Sequence, residues 1–306
     1  MHILLAKPRG FCAGVERAVR CVERAIERFG APVYVLNHIV HNAVVVNDLA
    51  GAGAVFVRSL DEVPRGALVL FSAHGVDPGQ WAQAQARELR VIDATCPLVE
   101  KVHREAKRFG EAHYTVVLIG KAGHDEVRGT MGWAPGHIEV VFSEEDVAAL
   151  EVPDPRRVAY VTQTTLSVMD CERIVAALNT RFPGIEGPPS GDICYATQNR
   201  QGAVRTLAVE ADLVLVVGDE ASANSARLAE ICRSMGKASY LIRSADTIDD
   251  AWFDGVETVL VTSGASAPES LVRGVVAHLR TLGPCEVEER EIVHEDVHFA
   301  LPEAVQ

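Results

Sequence analysis

One pattern occurs three times along the chain, and it restricts the possible folds more than any other feature. Each copy begins with a cysteine, continues through a stretch of helical periodicity into a short apolar strand, and then enters a polar loop. The cysteines that begin the copies are Cys12, Cys96 and Cys194. Helices that alternate with short apolar strands are typical of parallel sheets. We therefore predict an α/β fold, a trefoil of three similar α/β lobes with mainly parallel sheets around a central cavity.

The helical stretches of the first two copies end alike. Apolar residues recur at helical spacing after Cys12 until Phe29-Gly30, and after Cys96 until Phe109-Gly110. Glycine commonly ends a helix because it tolerates a left-handed backbone, so we expect both helices to stop there. The stretch after Cys194 has the same spacing in a weaker form.

Two apolar strands are predicted in each copy, and polar residues follow each of them. The first strands span 33–36, 116–119 and 213–217, and the second ones lie within 67–75, 158–167 and 258–268. Ligand-binding loops in parallel sheets lie beyond the carboxyl ends of the strands, so three cysteines and six polar loops are expected at one cavity. The predicted lobes are 1–95, which includes the N-terminal strand, 96–193 and 194–282, followed by an acidic, strand-bearing tail at 283–306.

Composition argues against several classes of function. The formal net charge of −13 argues against a general nucleic-acid binder, and no apolar run approaches the ~20 residues of a membrane span. The first residues are strand-like and do not resemble a signal peptide, so we expect a cytoplasmic protein. The cytosol keeps thiols reduced, and an odd count of seven widely spaced cysteines is not a disulfide framework.

Cys12, Cys96 and Cys194 are candidate metal ligands. Each stands at a predicted helix N-terminus, where the helix dipole favours the thiolate that binds metals. Their wide separation does not match the CxxC pairs of structural zinc sites. A four-iron cluster held by three cysteines leaves one iron able to bind a substrate oxygen, whereas four-cysteine clusters are suited to electron transfer. The alternative is three unrelated buried cysteines, because free cysteine is commonly buried.

The other four cysteines are weaker candidates. Cys171 and Cys232 share helical faces with apolar residues, which predicts that both belong to the core. We assign no role to Cys21, which lies off the main apolar stripe of its helix, or to Cys285 in the tail.

The polar loops are rich in neutral hydrogen-bond donors, which suit an anion such as a diphosphate. The candidate residues are His41, His74, His124, Thr164, Ser222, Asn224 and Ser266. A lone histidine is more often structural, but three histidines in equivalent loops favour a binding role.

Glu126 is a candidate proton donor. In a dry cavity beside a bound anion its pKa should rise, which would keep a proton available near neutral pH. The alternative is an exposed loop glutamate, the commoner fate of this residue type. His124 and Glu126 also match the HxE half of the zinc deaminase signature, but the PCxxC partner motif is absent.

The ordered motifs of the chain resemble those of the 4-hydroxy-3-methylbut-2-enyl diphosphate reductase family, also called the LytB family. They are ILLAKPRGFCAGVERAV, HNAVVV, FSAHGV, DATCPLV, GHDEVRGTMG, VTQTTLSV, DICYATQNRQ, SANSARL and TSGASAPE. The resemblance runs from residue 1 to about residue 275, so it is far more specific than any single motif.

The resemblance implies a cofactor, a reaction and an electron donor. The cofactor is an iron–sulfur cluster, 4Fe-4S or 3Fe-4S after exposure to air, held by Cys12, Cys96 and Cys194. The substrate is an allylic alcohol diphosphate whose hydroxyl binds the unique iron. Two electrons and two protons remove its oxygen as water, giving isopentenyl and dimethylallyl diphosphate in the last step of the non-mevalonate isoprenoid pathway. A ferredoxin or flavodoxin-type protein is the implied electron donor.

The resemblance also implies roles for individual residues. Glu126 supplies protons, and Thr164 or its neighbour Thr165 lies near the substrate hydroxyl. The residues implied to bind the diphosphate are His41, His74, His124, Ser222, Asn224 and Ser266.

One position departs from the family pattern, and three other function classes stay open. The chain has Ser222-Ala223-Asn224 where the family often has two serines before the asparagine, which predicts weaker diphosphate binding at most because the Ala223 N–H still donates. The alternatives are a non-catalytic iron–sulfur sensor or electron carrier, a zinc-dependent hydrolase that uses the same thiols, and a diphosphate-binding protein without a metal.

Overall fold

The computed structural model describes residues 1–134 and 136–306. The strands, in chain order, are β1 His2–Lys7, β2 Val33–Leu36, β3 Ala54–Val57, β4 Leu68–Phe71, β5 Arg90–Asp93, β6 Thr115–Ile119, β7 Ile138–Val141, β8 Val158–Thr162, β9 Leu213–Val217, β10 Ala238–Ile242, β11 Thr258–Ser263 and β12 Glu286–Glu291. The helices are α1 Ala13–Phe29, α2 Ala43–Ala52, α3 Pro78–Ala86, α4 Pro97–Glu111, α5 Asp125–Met131, α6 Glu144–Ala149, α7 Val168–Arg181, α8 Tyr195–Leu207, α9 Ala223–Ser234 and α10 Glu269–Thr281. None of the helices in the described part of the chain is long and apolar enough to cross a membrane.

The chain forms two compact units, which are not continuous in sequence. The first unit contains Met1–Glu16, His41–Val45 and Tyr195–His298. The second contains Arg17–Val40, Val46–Cys194 and Phe299–Gln306. The first unit holds one sheet and the second holds two, and the strands of all three sheets pair in parallel.

The sheet of the first unit has the order β10-β9-β11-β1-β12. Alternate residues of its strands face opposite sides, so each side has its own apolar cluster. On one side Leu4 and Val214 pack with α8 and α9. On the other side Ile3 and Leu215 pack with α10. Helices on both faces explain why the central strands are almost wholly apolar.

The second unit contains a four-stranded sheet, β3-β2-β4-β5, and a three-stranded sheet, β7-β6-β8. In the three-stranded sheet, Val116 and Leu118 pack with α4 and α5 on one face. Val117 and Ile119 pack with α7 on the other face. The same period of two therefore places a helix layer on each side of this sheet as well.

The predicted α/β class with three parallel-sheet lobes is confirmed, and so is the end of the first helix. Gly30 follows α1 with a left-handed φ of +76°. The prediction that Gly110 ends the second helix is wrong, because α4 continues through Gly110 to Glu111. The left-handed residue that follows this helix is His113, with φ of +60°. A non-glycine residue can adopt this conformation, so the sequence signal was misleading.

The N-terminal strand pairs with strands from the far end of the chain. Residues of β1 align in parallel with β11 on one side and with β12 of the acidic tail on the other. A strand of six residues carries no local signal that identifies the strands it pairs with. Sequence alone therefore places β1 in the first predicted lobe, which it adjoins along the chain. The lobe boundaries at 95, 193 and 282 stay a prediction.

Candidate functional site

Cys12, Cys96 and Cys194 each stand directly before a helix. Cys96 is the N-cap of α4, Cys12 precedes the first residue of α1, and Cys194 precedes the first residue of α8. All three side chains are partly exposed. A helix N-terminus presents backbone N–H groups and a positive dipole end, so it favours a thiolate over a thiol.

The backbone of these three cysteines is anchored in the same way. Each cysteine N–H donates to a carbonyl two residues beyond the end of a strand. The bonds are Cys12 to Ala265 beyond β11 (3.1 Å), Cys96 to Ala73 beyond β4 (3.0 Å), and Cys194 to Thr164 beyond β8 (3.0 Å). The repeat predicted from sequence therefore has a structural counterpart, because each of the three cysteines is bonded at the carboxyl end of a strand from a different sheet.

Three other cysteines are buried, and their thiols are poor metal ligands. Burial raises the pKa of Cys21 to about 11, of Cys171 to about 12 and of Cys232 to about 11, so these thiols stay protonated at neutral pH. Cys171 and Cys232 lie in apolar clusters, which confirms their predicted core role. Cys285 is partly exposed too, but it lies in the tail just before β12 and not before a helix. Partial exposure together with a position before a helix sets Cys12, Cys96 and Cys194 apart as a donor set that fits a thiolate-bound metal group.

The residue that follows each carbonyl acceptor is one of the predicted substrate-binding residues. His74, Thr165 and Ser266 occupy this equivalent position in the three loops. Thr164 occupies the position that is alanine in the other two loops, Ala73 and Ala265. Its hydroxyl is therefore specific to the loop after β8.

Glu126 is buried and bonded to Thr164. The Thr164 N–H donates to Oε1 of Glu126 at 2.6 Å, and the Thr164 hydroxyl donates to Oε2 at 3.1 Å. The side chain is 2% exposed, so the alternative of an exposed loop glutamate is wrong. Burial raises its pKa to about 7, because the loss of hydration outweighs the two bonds from Thr164 that favour the carboxylate. Glu126 can therefore both hold and release a proton near neutral pH.

His124 begins the helix that carries Glu126. It is the N-cap of α5, and its Nδ1 accepts the N–H of Glu126 at 3.2 Å. The ring of His74 meets the ring of His124 edge to face, with centroids 5.9 Å apart. The second unit thus brings together four of the predicted site residues: His74, His124, Glu126 and Thr164.

The turn that carries His74 rests on an aromatic pair formed by buried His103 and partly exposed Trp133. His103 of α4 stacks on Trp133 with centroids 5.5 Å apart, and the Trp133 indole N–H donates to the Val76 carbonyl at 2.8 Å. Burial lowers the pKa of His103 to about 4, so this ring is neutral. Gly75 lies against the same ring, and a β-carbon there would overlap Cε1 of His103. A cavity of about 270 Å³, lined by both aromatic residues, adjoins this pair.

Gly75→Ala is expected to displace the His74 turn and to destabilise the protein by about 2–3 kcal/mol. Gly75 has a φ of +75°, where alanine is strained, and the added methyl would also collide with His103. Gly30→Ala is the matched control, since Gly30 has a φ of +76° and open space around its Cα. Strain alone should cost the control about 1 kcal/mol. Chemical denaturation measures both, and equal losses would contradict a special constraint at Gly75.

In the first unit, Ser222 and Ser266 lie together beside the backbone of His41. The Ser266 hydroxyl donates to the His41 carbonyl at 3.0 Å and lies 3.3 Å from the Ser222 hydroxyl. Ser222 is the N-cap of α9. Asn224 is 4% exposed, and its amide N and O have no hydrogen-bond partner in the described part of the protein. A buried amide without a protein partner is a candidate for binding a polar ligand.

Two residues that the sequence interpretation did not single out support these loops. Asn42 is buried, and its Oδ1 accepts the N–H groups of Val44 and Val45 at the start of α2. An asparagine directly before an apolar helical run is a recognised N-cap signal, so it could have been found. Gln163 is buried, and its amide donates to the Thr165 hydroxyl at 3.0 Å. No local signal marks Gln163.

The fold and these loops define a parallel α/β protein in which each lobe presents a partly exposed cysteine beside a polar loop. The chain belongs to the LytB protein family, whose family model matches residues 3–280.

Curated relatives and solved structures extend this similarity over nearly the whole chain. The chain is 54% identical to 4-hydroxy-3-methylbut-2-enyl diphosphate reductase of Mycolicibacterium vanbaalenii, covering 100% of this chain and 91% of the relative. It is 55% identical to the protein of the same name from Bordetella pertussis, covering 99% and 94%. The solved structure of the E-1-hydroxy-2-methyl-but-2-enyl-4-diphosphate reductase from Plasmodium falciparum is 38% identical with a TM-score of 0.96, covering 99% of this chain and 96% of that one.

Proposed function

We propose that this protein removes the hydroxyl group of 4-hydroxy-3-methylbut-2-enyl diphosphate reductively, as the last step of the non-mevalonate isoprenoid pathway. The reaction consumes two electrons and two protons and yields water with isopentenyl or dimethylallyl diphosphate. Relatives that are 54% and 55% identical to the chain over the aligned residues carry the name of this activity. The observation that carries the proposal is the buried Glu126, hydrogen-bonded to Thr164 and able to hold a proton near neutral pH.

We assign Cys12, Cys96 and Cys194 as thiolate ligands of an iron–sulfur cluster, of the 4Fe-4S type or 3Fe-4S after exposure to air. The support is their shared position before a helix and their exposure, in contrast to the buried cysteines. When bound, such a group supplies electrons and a Lewis-acidic iron without a protein ligand. Thiolates need reducing conditions, so we also infer a cytoplasmic location. The family resemblance implies a ferredoxin or flavodoxin-type protein as the electron donor.

Glu126, Thr164 and His124 are the proposed catalytic residues. A carboxyl group with a pKa of about 7 is half protonated at neutral pH, so it can donate a proton to the leaving oxygen and regain one from solvent. The Thr164 hydroxyl donates to Glu126 in the structure. When Glu126 is protonated, this hydroxyl can accept the Glu126 proton and donate its own proton to the substrate oxygen. His124 accepts the N–H of Glu126 and so orients the start of the helix that carries it.

The proposed diphosphate-binding group consists of neutral hydrogen-bond donors, which are His41, His74, His124, Ser222, Asn224 and Ser266. Thr165 is proposed to lie beside the substrate hydroxyl. The unpartnered amide of Asn224 and the N-cap position of Ser222 support this role, because a helix N-terminus and a free amide N–H both suit phosphate oxygens.

The non-catalytic iron–sulfur sensor or electron carrier explains less of the structure. An electron carrier has no need for a protonatable carboxyl group. The burial that raises the pKa of Glu126 also lowers the stability of the protein, and a carrier would gain nothing in return. The zinc hydrolase and the metal-free diphosphate binder would differ in metal content, which a direct analysis distinguishes.

Anaerobic purification followed by iron and sulfide analysis and a turnover assay tests the proposal. We expect bound iron and inorganic sulfide, and conversion of the diphosphate substrate to both products with a reduced dye as electron donor. Zinc without sulfide would favour the hydrolase. A full cluster without turnover would favour the carrier.

A further inference from the structure

Arg200 is a wholly buried cation beside the loop that carries Cys12. It lies in α8 and is 0% exposed. Its Nη2 donates to the Gly10 carbonyl at 2.9 Å, and its Nη1 donates to the Ala196 carbonyl at 3.0 Å. A buried guanidinium is strongly unfavourable unless it is paired and hydrogen-bonded, so these contacts must be maintained in the folded protein.

The charge of Arg200 is balanced by a residue from the tail. Nη1 of Arg200 lies 3.1 Å and 3.3 Å from the two carboxylate oxygens of Glu295. The side chain of Glu295 is 16% exposed, and it also accepts a bond from the Asn199 amide at 3.0 Å. Glu295 follows β12 by four residues and belongs to the same compact unit as Arg200 and Cys12.

The loop from Gly10 to Cys12 is fixed from two directions. The Gly10 N–H donates to the Ser263 hydroxyl at 2.7 Å, and the Cys12 N–H donates to the Ala265 carbonyl, so the end of β11 holds one side. The bond from Arg200 to the Gly10 carbonyl holds the other side. The Gly10 carbonyl is only two residues from Cys12, so the bond from Arg200 constrains the backbone that leads directly to this cysteine.

We propose that Arg200 and Glu295 are positioning residues that hold Cys12 in the conformation in which it binds the metal group, so that the C-terminal tail controls retention of that group. This inference rests on the proposed ligand role of Cys12. The acidic tail then contributes to the cofactor site through the carboxylate of Glu295, which acts on the Cys12 loop by way of Arg200.

Glu295→Gln in the full-length chain tests the inference. Glutamine keeps the size and one acceptor but removes the charge, so Arg200 loses its ion pair and the loop opens more often. We expect amide hydrogen exchange in residues 8–13 to accelerate by about tenfold, since bonds to charged groups are among the strongest in proteins. Loss of iron to a chelator from the reconstituted protein should accelerate by a similar factor.

Two control variants separate positioning from general destabilisation. Asp296→Asn removes the same charge from the neighbouring residue, whose side chain is 81% exposed, and should leave both rates unchanged. Val275→Ala opens a cavity in the core against the opposite face of the sheet and should lower the melting temperature without accelerating exchange in residues 8–13.

The outcomes distinguish this inference from the proposed function. Exchange in Glu295→Gln no faster than in Asp296→Asn would overturn the inference, whether or not iron binds. Equal acceleration in Glu295→Gln and Val275→Ala would overturn it too, because the effect would then be global. A wild-type chain that binds no iron or sulfide would overturn the ligand role of Cys12, while the exchange comparison would still report on the loop.

Discussion

Glu126→Gln is expected to reduce turnover by about two to four orders of magnitude, the usual contribution of a general acid, while the cluster is retained. Glutamine preserves the shape and still accepts from Thr164, but it cannot deliver a proton. Single-turnover kinetics with a reduced dye, together with iron and sulfide analysis, measure both parts of this prediction. Glu172→Gln, the same change at an exposed position of α7, is the control and should be neutral.

The same variant should change how stability depends on pH. Because the pKa of Glu126 is raised from 4.5 to about 7 in the folded state, its contribution is fully present below pH 4.5 and is lost as pH rises through 7. By linkage, this difference in pKa between the unfolded and folded states corresponds to a loss of about 3 kcal/mol in the free energy of unfolding as the pH rises. Denaturation of Glu126→Gln should therefore show a gain over wild type that grows between pH 5 and pH 8. A gain that is constant with pH would contradict the raised pKa of Glu126, and near-normal turnover would remove Glu126 from the mechanism.

Substitution of Cys12, Cys96 or Cys194 by alanine is expected to abolish retention of the iron–sulfur cluster. Each change removes one of only three thiolates proposed for the group, and the iron it held would then have no protein ligand. Iron and sulfide content after anaerobic reconstitution measures the effect, with circular dichroism to verify folding.

Cys232→Ala is the matched control for these three variants. Its thiol is buried in an apolar cluster with a pKa raised to about 11, so its loss should cost stability but no iron. Full iron content in any of the three variants would show that the replaced cysteine is not a ligand. Loss of iron in the control would show that cluster content reports general instability.

Much of the fold could be predicted because its signals are local. Strands such as Val33–Leu36 and Leu213–Val217 are short apolar runs between polar segments, and the structure has them at these bounds. Pairing between distant strands is not a local property, which is why β1 could not be assigned to its sheet. The end of α4 was missed for another reason. Glycine usually marks the end of a helix, but Gly110 is buried within α4 and the helix continues past it.

The environment of Glu126 is the part of the candidate site that sequence could suggest but not establish. Its partner Thr164 lies 38 residues away, and burial depends on how α5 meets the loop after β8. The equivalent positions of the polar loops also depend on where the following helices begin. The N-cap residues of α2, α5 and α9 are Asn42, His124 and Ser222.

The parallel pairing of β1 with β11 and β12 has a consequence for biosynthesis. A ribosome makes β1 more than 250 residues before the strands on either side of it. Until those strands emerge, an apolar segment with unpaired backbone groups on both edges must stay unmatched, which makes it prone to aggregation and a natural target for chaperones. Translation of the acidic tail therefore completes the five-stranded sheet, and the compact unit that carries Cys12 cannot have its full strand pairing before that point.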